Sequence, residues 1–225
     1  MGHSLASLLR QAYQFTSGCT EPAAIGLNAA IAGFYLRGAL PDSFEIEIDL
    51  LTYKNAYNAG IPNGEGEHGT VWAALYGYLT ARPQLKLEIF NGVDNDIVLK
   101  AKSFLDNHEI RVKVLEKESL YIRTTIRAGS SEAVVETRDN HLNITEIRLN
   151  GVTKPLPWRQ KGEEEQKKSE PFYPDEVYFH EEYWIEMVEK LSRDLTLMAK
   201  LRKGMEINLK AASYGKRYDT STDDF

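Results

Sequence analysis

The chain has 225 residues, 42% of them hydrophobic and 27% charged, with a formal net charge of -6. That length holds one large domain or two small ones with enough apolar residue for a core. The acidic balance excludes the basic stripe of a nucleic-acid surface, and no apolar run reaches the roughly 20 residues of a membrane span. One cysteine, Cys19, excludes an internal disulfide framework, and the start lacks the basic and apolar regions of a secretory signal. A reducing cytoplasm is therefore the expected location.

Leu5, Leu8, Leu9 and Tyr13 share a helical face, which predicts an amphipathic helix over residues 5–15 before Thr16-Ser17-Gly18 breaks it. Small and apolar residues dominate 21–36, from Ala23 through Ala32, so a helix buried on most sides is expected there. Phe44, Ile46, Ile48 and Leu50 alternate with Glu45, Glu47 and Asp49, the pattern of a half-exposed strand. A glycine-rich turn over 60–69 feeds an apolar helix over 70–80. A strand is then predicted over 85–90 and a helix over 95–107. Segments 110–115, 120–128, 133–138 and 142–149 read as strands joined by turns at Gly129-Ser130-Ser131 and Arg138-Asp139-Asn140. From 120 onward these form an antiparallel meander, closed by Asn150-Gly151.

The composition then changes. Charged and Pro-rich residues over 155–178 mark a solvated linker, and Trp184, Met187, Val188, Leu191, Leu195, Met198 and Leu201 continue at helical spacing. Gly204 is expected to dent that helix and Gly215 to end it. The expected fold is α+β: buried small-residue helices with an antiparallel sheet over 1–154, the linker over 155–178, and a long C-terminal helix and tail over 179–225.

Two stretches carry candidate chemistry. In Gly18-Cys19-Thr20-Glu21-Pro22, Thr20 is the expected N-cap, and Pro22 is tolerated in a first helical turn. Unpaired backbone donors and the positive end of the helix dipole then face the loop, which favours a Cys19 thiolate fit for metal ligation or nucleophilic attack. The same donors, at Thr20 and Glu21, suit a substrate carboxylate. In Tyr53-Lys54-Asn55-Ala56, Lys54 and Asn55 are expected at a strand end, offering a cation and an amide to an amino-acid-sized ligand in catalytic and binding roles. His68 beside Glu67 has the makings of an acid–base pair, set against the plainer reading of a histidine on a surface loop. Neither HExxH nor CxxC nor GxSxG occurs.

The runs GCTEPAAIGLNAA, YKNA, GIP, HLNITEIRLNG and GMEINLKAASYG resemble the L-cysteine desulfidase family related to the L-serine dehydratase α chain. The resemblance implies an amino-acid lyase with a 4Fe-4S cluster on three cysteines, the open iron acting as a Lewis acid in β-elimination to pyruvate and ammonia plus sulfide or water. It makes Cys19 the first cluster ligand. The other two lie in a carboxy-terminal half that this sequence does not include, so a second chain carrying that half is the implied partner, with self-association as a further expectation. The competing expectation is a non-catalytic descendant acting as a small-ligand binding or regulatory module.

Overall fold

The computed structural model describes residues 15, 16, 18–158 and 181–218. The helix predicted over 5–15 falls outside them except for Phe15, and so does most of the linker over 155–178. Two compact units divide the chain, one of residues 16–163 and one of residues 1–15 with 164–225.

The larger unit is α+β. Its elements in order are α1 (Thr20–Tyr35), β1 (Ser43–Asp49), α2 (Leu50–Ala56), α3 (Gly69–Thr80), a 3-10 segment (Pro83–Gly92), α4 (Asn95–Leu105), β2 (Ile110–Leu115), β3 (Tyr121–Ala128), β4 (Ser131–Arg138), β5 (Ile144–Leu149) and the short β6 (Val152–Thr153). The strands form one six-stranded sheet in the order β2-β1-β3-β4-β5-β6. The sheet is mixed rather than antiparallel throughout, because β2 returns beside β1 in parallel, Phe44 opposite Ile110. The meander was expected and is present: β3 with β4 and β4 with β5 pair antiparallel.

Helix α1 is buried from Pro22 to Gly33 because it is covered on two sides. On one side it meets the inner face of the sheet, where Asn28 donates to the carbonyls of Ile122 (3.1 Å) and Val135 (3.5 Å) and accepts from the Thr137 hydroxyl (2.5 Å). Those bonds satisfy a side chain that is wholly buried. On the other side it meets α3. A methyl group added to Gly77 would lie 2.0 Å from the Gly26 carbonyl oxygen, so the two backbones touch only because both residues lack a side chain. Contacts of Gly26 with Ala73 and of Gly33 with Tyr78 advance together along both helices, which places their N-termini toward the same end.

Two expectations for this unit need correction. Residues 85–90 form part of the 3-10 segment rather than a strand. Leu85, Leu87 and Ile89 alternate as a strand would, yet Pro83 opens a tight turn, and Lys86 takes a positive φ of 52° that no ladder accommodates. Lys54 and Asn55 lie within helix α2, not at a strand end, because Asp49 caps that helix by accepting from the Thr52 amide at 2.9 Å.

In the smaller unit, α5 (Glu181–Ser192) and α6 (Leu195–Tyr218) replace the single expected helix. The break falls at Asp194, which caps α6 through the Leu197 amide at 3.0 Å. Gly204 leaves no dent and Gly215 does not end the helix, since α6 runs through both. The Lys203 ammonium sits 4.9 Å from the Phe15 ring centre, a cation–π contact within the same unit.

Candidate functional site

The expected site residues come from two segments far apart in sequence, and the fold joins most of them at the mouth of α1. Gly18 packs against Pro62 of the glycine turn. The Thr16 hydroxyl donates to the Gly18 carbonyl at 2.9 Å, which holds the loop in front of the helix. Cys19, not Thr20, is the N-cap residue, in an extended conformation and without a side-chain cap to the backbone. Thr20 is thus the first helical residue and Glu21 the second.

Glu21 is the hub. Its Oε2 accepts from the Cys19 thiol at 2.9 Å and the Thr20 hydroxyl at 3.2 Å. Its Oε1 accepts from the Asn55 amide at 3.0 Å. Asp49 makes that last bond possible from a distance. It is buried, and besides capping α2 it accepts from the Tyr121 amide at 2.8 Å, which locks the strand–helix junction carrying Asn55. Lys54, next to Asn55, is exposed and makes no hydrogen bond or ion pair among the described residues.

This arrangement reverses the expected ionisation of Cys19. Burial pushes the thiol up, and the hydrogen bond to Glu21 raises it further, outweighing the bonds to backbone amides. Placing a carboxylate 2.9 Å from a thiol opposes a second negative charge there. Burial would raise the Glu21 carboxyl as well, but the bonds from Cys19 and Asn55 outweigh it and hold the carboxyl below its ordinary range. At neutral pH the pair is therefore a thiol donating to a carboxylate.

His68 is the residue before α3, its Nδ1 3.5 Å from the Gly66 carbonyl and not bonded to Glu67, so the acid–base pair with Glu67 does not form. Cys19 is the chain's only cysteine. Among the described residues, no three His, Cys, Asp or Glu side chains converge as a metal site. With one cysteine, the residues of this chain do not fit a cluster held on three thiolates.

Of the residues singled out in the sequence, the fold brings Cys19, Thr20, Glu21 and Asn55 together; Asp49 and the role of Glu21 as their common acceptor were not anticipated. The Asp49-Leu50-Leu51-Thr52 run is a helix-start signal that could have found the first. Nothing local signals a bond between Glu21 and Asn55, thirty-four residues apart.

Relatives correct the family assignment. The chain is 35% identical over 153 residues to a "UPF0597 protein" of Fervidobacterium nodosum, a match covering 66% of this chain and 36% of that one. It is 29% identical over 217 residues to a "UPF0597 protein" of Elusimicrobium minutum, covering 95% and 49%. A third, "UPF0597 protein HRM2_02820" of Desulforapulum autotrophicum, is 28% identical over 221 residues, covering 96% and 49%. The chain thus spans about a third to a half of the length of these relatives. Their shared name states no activity. The similarity is to UPF0597 proteins, which overturns the resemblance to cysteine desulfidases and serine dehydratases and with it the iron–sulfur lyase reading. The alternative of a regulatory descendant of those lyases falls with it. No family model matches the chain, and no solved structure matches it.

Proposed function

We propose that the Cys19–Thr20–Glu21–Asn55 cluster is the functional centre and binds a small polar molecule through an amino group, with Glu21 as the receiving carboxylate. The supporting observation is the convergence of three neutral donors on that carboxylate at the surface end of α1. Neutral donors orient the group without cancelling its charge, so an ammonium approaching from solvent gains a charge-assisted bond. The Cys19 thiol, held protonated, supplies a donor beside the ligand, and exposed Lys54 offers a cation to an acidic group on the same molecule. Amino acids and related amines fit this chemistry.

No helix among the described residues is long and apolar enough to cross a membrane. The cytoplasm is our reading, supported by the exposed free thiol of Cys19, which an oxidising compartment would modify.

The site is tested by protection of Cys19 from iodoacetamide across a panel of amino acids and primary amines. Saturable protection by at least one of them, lost in Glu21→Gln, is the expected result. Equal protection in wild type and variant, or none by any member, would sink the proposal.

A further inference from the structure

The sheet has one long open edge. Strand β2 pairs with β1 on one side only, and among the described residues no backbone group of Ile110–Leu115 bonds to anything on the other. Alternate residues of a strand turn their N–H and C=O to opposite sides. About half of these groups therefore point away from β1 without a partner.

An apolar cleft runs beside that edge. Tyr53 and Tyr57, one turn apart on α2 with ring centres 5.6 Å apart, line a cavity of about 230 Å³ together with Val71 of α3 and Val112 of β2. Ile46 and Ile48, the β1 partners of Val112 and Val114, are fully buried, whereas Val114 is 40% and Tyr57 63% exposed. The cleft therefore opens away from β1, toward the free edge. Apolar side chains left this open beside an unpaired strand mark a surface that another chain can cover.

The strand that already pairs with β2 shows what chemistry β2 accepts. In β1, Phe44, Ile46 and Ile48 alternate with Glu45 and Glu47. The apolar three lie beside Ile110, Val112 and Val114. On the opposite face Glu45 lies beside Arg111, and Glu47 accepts from the Lys113 ammonium at 3.0 Å. Arg111 is exposed and makes no ion pair among the described residues. A strand added about 4.8 Å beyond β2 meets the same apolar row and the same two cations from the other side. A second copy of β2 is a poor occupant. It would bring Arg111 and Lys113 of both copies together, and like charges opposed across strands weaken the pairing.

We infer that the open edge of β2 binds an extended segment of a partner protein in which apolar and acidic residues alternate. Its backbone continues the sheet. Its apolar side chains enter the cleft beside Tyr57, Val112 and Val114, and its carboxylates face Arg111 and Lys113. The inference is independent of the Glu21 proposal, since it uses none of the same side chains.

The test is fluorescence anisotropy of a labelled heptapeptide alternating valine with glutamate, titrated with the whole chain. Its counterparts carry lysine for each glutamate, or N-methyl groups on one or the other alternating set of amides. Saturable binding of the glutamate peptide, and not of the lysine peptide, is expected. N-methylation should abolish it for the set facing β2 and spare it for the other. Arg111→Glu and Tyr57→Ala should each weaken binding about fivefold or more. Both side chains are exposed, so the variants should keep the wild-type thermal transition, and either one that does serves as the comparison. No saturable binding of the glutamate peptide at millimolar concentration, equal binding of the lysine peptide, or equal loss from both methylated sets would overturn the inference. So would full affinity in a folded variant, or a dimer of the chain that closes the edge against the peptide.

Discussion

Glu136 on the sheet and Glu21 at the mouth of α1 are both carboxylates surrounded by donors, but the donors differ in kind. Glu136 accepts from Arg138 Nε at 2.6 Å, Arg123 at 3.0 Å, the Thr145 hydroxyl at 3.0 Å and the Tyr121 phenol at 3.2 Å. Two cations cancel its charge and its side chain is 8% exposed, so no position is left for a ligand. Burial alone would raise its carboxyl, but the bonds from Arg138, Thr145 and Arg123 bring it down to about 2. Glu21 has three neutral donors and keeps its charge facing solvent. The contrast separates a carboxylate that holds a sheet together from one that is oriented and left available.

The largest expected effect breaks the structural member of the pair. Glu136→Ala leaves Arg123 and Arg138 without their shared partner and should lower stability by about 3 kcal/mol in a urea melt. Asn28→Ala, deep under α1, strands the Thr137 hydroxyl and two carbonyls and should cost about 2 kcal/mol. Acid supplies a related loss. The folded carboxyl of Glu136 titrates below its ordinary value of 4.5, so its contribution is complete above that pH and disappears as pH falls toward about 2. After screening of the half-exposed Arg138, the loss amounts to about 2 kcal/mol, and Glu136→Gln should flatten that part of the stability–pH curve. Glu21→Gln sits at the other extreme and should change stability by less than about 0.5 kcal/mol, since its donors stay near water. A loss at Glu21 as large as that at Glu136 would erase the distinction.

Much of the scaffold could be read along the chain. The small residues of α1 predicted burial on most sides, and the alternation of Phe44, Ile46 and Ile48 predicted β1, because each pattern is local and its burial periodic. Positive φ at Asn150 and Gly151 fits the turn expected from that pair. The strand expected over 85–90 failed because alternation does not reveal whether a neighbouring strand is there to pair with. The parallel return of β2 is likewise invisible in periodicity. At the site, residue types were legible and charge states were not. The helix dipole argued for a Cys19 thiolate, while a carboxylate two residues on, steadied from residue 55, reversed the balance. The family resemblance misled for a related reason: short motifs report a local loop and do not report what chemistry the loop serves.

The central claim is that Cys19 and Glu21 form a thiol–carboxylate pair, and the rate of Cys19 alkylation by iodoacetamide as a function of pH tests it most directly. The wild-type midpoint should lie above that of a free cysteine thiol, with Glu21→Gln moving it downward and speeding alkylation several-fold at pH 8. A wild-type midpoint at or below the free thiol's, or one unmoved by Glu21→Gln, would contradict it.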